Sequence, residues 1–189
     1  MTLPPVPGPE LLVREVVRRE WEMMLEAVAG RPEHCQERPG GFRTMREITN
    51  SALSPDTLRA YLTDLERARL AGRNLVDERL ALLARPAVPS RHPFVARIAA
   101  IETAWMAELV ERFPFTFRGD LADFAHAVAC ELATLSEGTV TLLYRDLLAA
   151  REAGRNLQRE RWEAFFRRTG RGALEDVEAA ERAKVPDAI

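Results

Sequence analysis

Lysine and cysteine are nearly missing from this sequence of 189 residues: Lys184 is the one lysine among 27 basic residues, and Cys35 and Cys130 are the two cysteines. Two thiols cannot staple a disulfide-dependent fold, and no Cys-x-x-Cys pair marks a zinc ribbon or a redox motif. No apolar run approaches the roughly 20 residues that a membrane-spanning helix requires. Residues 1–9 hold four prolines and no basic residue ahead of a hydrophobic core, which is not the pattern of a secretory signal. A cytoplasmic protein with free thiols and no membrane contact is therefore expected. Charge of one sign is lacking too: 27 basic against 29 acidic residues give a net charge of -2, which leaves no basic footprint for nucleic acid. A Gly-rich phosphate loop, a nucleophile elbow and a dinucleotide fingerprint are all absent, so no cofactor is expected.

What the sequence has is a repeated phrase. Ala71-Gly72-Arg73-Asn74-Leu75 returns as Ala153-Gly154-Arg155-Asn156-Leu157, and at that offset of 82 residues 53–79 match residues 135–161 at 14 of 27 positions. Such agreement without a gap reads as tandem duplication. Apolar residues at three-and-four spacing, with proline or serine at the starts and glycine or proline at the stops, mark helices throughout. The first runs from Pro9 to about 28 with Leu12, Val16, Val17 and Met24 on one face. A polar loop with two prolines and three glycines covers 30–41, and a short helix follows it over about 42–49. The longest pattern, opened by Ser54-Pro55, runs to about 84 with Gly72 inside its apolar arc. The second half repeats the series over 95–112, 121–135 and 136–168.

The fold class expected is all-α, a single domain built as a bundle of two tandem helical repeats about a pseudo-twofold axis. Residues 10–85 form the first repeat, 94–170 the second, and 171–189 a loosely docked acidic tail. Because an interior glycine weakens a helix by about 1 kcal/mol, its recurrence asks for a reason: the preferred reading is that two long helices cross closely at Gly72 and Gly154, and the alternative is that the helix breaks there, with Arg73 and Asn74 in a bend. Asp64 with Arg161, and Asp146 with Arg79, are expected to bridge the halves; the alternative is that this repeated polar set lines a cleft between the halves, where arginine holds a carboxylate or phosphate and a glutamate handles a proton. A chain that already contains this symmetry is expected to be a monomer.

Glu20-Trp21-Glu22-Met23, Gly30-Arg31 with Cys35-Gln36, Phe42 with Met45-Arg46, Tyr61-Leu62 with Asp64-Leu65, and Gly72-Arg73-Asn74-Leu75 together resemble the bacterial domain-of-unknown-function family 4125 over roughly residues 11–170. The chain departs from the family pattern where Pro32-Glu33-His34 place Arg31 four residues before Cys35. The resemblance implies a helical fold and brings no activity with it.

The unrepeated polar residues point to a pocket between the repeats, near the 30–41 loop, because sites are often built on loops held by rigid helices. Trp21, Arg31, Gln36, Arg46 and Trp105 are the expected ligand-binding residues. Glu20, Glu22, Cys35 and Glu131 are the candidates for proton transfer or nucleophilic work. His126 and Cys130, four apart on one helix face, could hold zinc with Glu131 or His34, but a core histidine beside a buried thiol is the preferred reading and no metal site is expected. Asp123 and His126 supply one half of a di-iron motif, and its partner is missing from the other repeat. The function expected is binding, with or without transformation, of a small polar anionic metabolite held by arginine. The alternative is a helical interaction module that meets a protein partner and does no chemistry.

Overall fold

A computed structural model of the chain describes residues 8–27, 39–88 and 92–185, and among them it is all-α, with nine helices and no strand. The helices are α1 (Pro9–Glu26), α2 (Pro39–Ser51), α3 (Pro55–Leu70), α4 (Leu75–Leu83), α5 (Pro93–Arg112), α6 (Leu121–Leu132), α7 (Glu137–Glu152), α8 (Leu157–Arg168) and α9 (Leu174–Arg182). Their starts are chemically plain. Proline opens α1, α3 and α5 at the first turn, and the side chains of Ser54, Asn74, His92, Asp120, Ser136 and Asn156 each accept a backbone N–H of the helix they cap. No helix among the described residues is long and apolar enough to cross a membrane.

The two long helices expected across Gly72 and Gly154 are each broken in two. Gly72 has φ +67° and Gly154 φ +68°, a left-handed conformation that side-chain-bearing residues rarely adopt. Arg73 donates its backbone N–H to the Ala68 carbonyl at 2.8 Å and Gly72 to that of Arg69 at 3.0 Å, the pair of bonds that closes a Schellman turn. Arg155 to Ala150 at 2.9 Å and Gly154 to Arg151 at 3.0 Å repeat it. Asn74 and Asn156 then restart the chain as the N-caps of α4 and α8. Both glycines are exposed, and a Cβ built on either meets nothing within 4 Å, so no helices cross closely there. The repeated glycine is a helix stop, and the repeated asparagine is the next helix start.

The halves interlock reciprocally. α1 packs on α2, α3 and α4, and α5 packs on α6, α7 and α8 in the same way. Between halves, α3 lies against α7, α2 against α8, and α6 against α4. The hydrogen bonds follow suit. Asp146 accepts the Ser54 backbone N–H at 2.9 Å and the Thr57 hydroxyl at 2.6 Å, while Asp64 accepts the Ser136 backbone N–H at 2.9 Å and its hydroxyl at 3.0 Å. These aspartates therefore tie down the opposite half's helix start and do not pair with Arg161 and Arg79 as expected. Asn74 donates to the Met23 carbonyl at 2.7 Å and Asn156 to that of Trp105 at 3.1 Å, so the two asparagines, 82 residues apart, reach carbonyls on α1 and α5 that are also 82 apart.

Each half has its own apolar core. Val16, Leu58 and Leu65 lie at the centre of one, Ile98, Val140 and Leu147 at the centre of the other, and Leu135 packs against both. A third cluster gathers Leu109, Phe113, Phe117, Phe166, Leu174 and Val177. It holds α9 firmly, contrary to the loosely docked tail expected: Leu174 and Val177 are buried, and Glu178 accepts the backbone N–H groups of Phe115 at 3.0 Å and Thr116 at 2.8 Å. Burial would raise the Glu178 carboxyl, but the Thr116 hydroxyl, donating at 2.7 Å, and those two N–H groups outweigh it and draw it below its ordinary range.

Candidate functional site

The stripe that α1 turns inward contains one acid among its apolar residues. Glu20 follows Val13, Val16 and Val17 at helical spacing and is 1% exposed. A carboxylate taken so far from water needs charge and hydrogen bonds in return, and α2 and α3 supply them. Arg46 grips Glu20 with two nitrogens, Nε to Oε2 at 3.0 Å and Nη2 to Oε1. The Tyr61 hydroxyl donates to Oε1 at 2.6 Å, and Asn50 reaches Oε2 at 3.4 Å while also donating to the Arg46 carbonyl at 2.9 Å. Burial, followed by the charge of Glu20, holds the Tyr61 phenol well above its usual pKa, so it stays a donor. At the corresponding place in the second half, Glu102 is also buried, and it accepts Arg161 Nη1 at 3.0 Å on both oxygens and Gln158 at 2.5 Å.

Glu131 on α6 extends the first network to a second arginine. Its Oε1 accepts Arg46 at 2.9 Å, and its Oε2 lies 3.4 Å from Arg79 on α4. Burial by itself would raise this carboxyl, but Arg46 and Arg79, with a further contribution from Arg161, outweigh it and bring the pKa to about 2. Six charged groups, Glu20, Arg46, Arg79, Glu102, Glu131 and Arg161, thus form a balanced cluster where the halves meet.

The cluster borders a cavity of about 760 Å³. Arg46, Asn50, Tyr61, Arg79, Glu102, Glu131, Gln158 and Arg161 supply its polar lining. The rest is mostly apolar: Met24, Phe42, Met45, Leu80 and Leu83 from one half, and Ile98, Phe124, Val128, Leu132, Leu143, Leu147 and Trp162 from the other. Protein cores are close-packed, with few voids larger than a water molecule, whereas small-molecule pockets run from roughly 300 to 1,000 Å³. This cavity belongs with the second kind.

The residues expected from the sequence divide sharply. Arg46 and Glu131 line the cavity, and Glu20 stands directly behind Arg46. Trp21 packs on Phe42, with ring centroids 5.5 Å apart, under the Arg43 guanidinium, and Trp105 is buried in the second core; neither lines the cavity. Glu22 sits on the surface among Arg18 and Arg69. His126 Nε2 lies 3.6 Å from the buried Cys130 sulfur, and burial raises that thiol's pKa, which suits a packed residue better than a thiolate nucleophile. No group of three His, Cys, Asp or Glu able to hold a metal occurs among the described residues. Arg31, His34, Cys35 and Gln36 lie outside the described residues. Sequence reasoning did not place Tyr61, Asn50, Glu102 or Gln158 in a site. For Glu102 the signal was present, because it falls on the stripe that carries Ile98 and Trp105.

Comparison with curated proteins and with solved structures gave no match. A family model described as protein of unknown function (DUF4125) matches residues 10–179, and the chain belongs to that family.

Proposed function

We propose that the protein binds a small amphipathic metabolite in the cavity between its halves, with the ligand's apolar body against the leucine and phenylalanine walls and its polar end at the arginine–glutamate cluster. The cavity itself carries the reading: about 760 Å³ of mostly apolar space bounded on one side by convergent charged groups. Apolar walls of this extent gain when water against them is replaced by an apolar guest. A monomer suffices for such a site, because both walls come from one chain.

A thermal-shift screen with six- to twelve-carbon amphipathic molecules tests this. A ligand present at about 100 times its Kd adds about 2.7 kcal/mol, worth at least about 5 °C for a chain of this length. Val128→Trp, which fills the cavity, is expected to abolish that shift without lowering the midpoint of the free protein by more than a few degrees. Equal shifts in the filled variant would place the binding elsewhere.

A further inference from the structure

Building on that reading, we infer that the ligand's polar end is a carboxylate and that Arg161 and Arg79 seat it. The cluster is balanced in charge but unbalanced in hydrogen bonds. Its acceptors are taken: Glu20 by Arg46, Tyr61 and Asn50, and Glu102 by Arg161 and Gln158. Its donors are not. Arg161 is 8% exposed and lines the cavity, yet its Nε is buried with no partner among the described residues and its bonds to Glu102 all leave from Nη1. A buried unpaired N–H is costly, so it marks a position where an acceptor is missing. Arg79, the residue 82 positions earlier, lines the same cavity and holds a single long contact of 3.4 Å to Glu131.

Arg46 differs from both. Two of its three guanidinium nitrogens are held by carboxylates, Nε and Nη2 by Glu20 and Nη2 also by Glu131. A ligand oxyanion would take the Arg161 donor directly and replace Glu131 at Arg79, leaving Glu131 on Arg46. A carboxylate brings opposite charge and two acceptor oxygens to the guanidinium groups, which favours an acid over a neutral carbonyl. A cationic head would find Glu20 and Glu102 occupied and would have to strip Glu131 from two arginines.

Isothermal titration of the full chain at neutral pH with octanoate, octanamide and octylamine, which share one apolar body, tests the head group. Octanoate is expected to bind at least tenfold more tightly than the other two. Arg161→Gln and, separately, Arg79→Gln should each bring octanoate down to the octanamide level and change octanamide by no more than about twofold. Arg79→Gln removes only one long contact and keeps the test open if Arg161→Gln fails to fold. Octanamide binding as tightly as octanoate, octylamine binding most tightly, or a preference for the acid that survives in the folded variants would overturn the inference while leaving the cavity reading in place. If none of the three binds up to millimolar concentration, the cavity reading fails with it.

Discussion

Buried charge sets the character of this protein residue by residue. Glu20 and Glu102 each occupy a position that the helical stripe would ordinarily give to leucine, and each is held by arginine. Such pairs seldom add net stability over apolar residues of the same size, but breaking one leaves an uncompensated charge. Their value here is positional, since they aim Arg46 and Arg161 at the cavity. Glu131 is the member whose ionisation can be read in solution. Its folded pKa of about 2 lies below the ordinary 4.5, so its stabilising effect is complete above about pH 4.5 and is lost as the pH falls towards 2. Urea titrations between pH 6 and pH 2 should show a decline, with Glu131's share on the order of 2 kcal/mol after allowance for solvent screening. Glu131→Gln should flatten that part of the curve, and an unchanged slope in the variant would remove Glu131 from the cluster.

Helix starts and stops were the most legible elements, and the same chemistry hid one feature. Ser54-Pro55 and Ser136 announce their helices correctly because capping is local. Gly72 was read as lying inside a helix because the apolar spacing of α3 continues into α4: Leu65, Ala68, Leu75 and Val76 are all buried. Spacing alone cannot reveal a break that preserves phase. The Gly-x-Asn order, with glycine ending one helix and asparagine capping the next, carried the signal. Gly72→Ala and Gly154→Ala should each destabilise the protein by about 1 kcal/mol through backbone strain, since no neighbour stands in the way of the new methyl group. Chemical denaturation measures this directly. A gain in stability would mean that the helix prefers to run through.

For the whole molecule, the sequence foretold an all-α protein, but it could not foretell the space between its helices. Arg46 stands out in the sequence because the second half does not repeat it, and Glu20 and Glu131 because they are expected to end near the 30–41 loop. Glu102 and Gln158 escaped notice because cavity shape depends on how whole helices dock. Trp21 and Trp105 are expected around a pocket near the 30–41 loop, and the two cores use them instead. We propose that the matching contacts of α3 with α7, and of α2 and α6 with α8 and α4, descend from a duplicated helical unit whose docking leaves the cavity open.

That the cavity takes an apolar acid is the central claim, and Trp162 is placed to report on it, since it lines the cavity while Trp21 and Trp105 do not. In a protein carrying Trp21→Phe and Trp105→Phe, octanoate titration should change Trp162 emission saturably, and added Val128→Phe should suppress the change by narrowing the cavity. Emission that stays constant while calorimetry still registers binding would contradict the account.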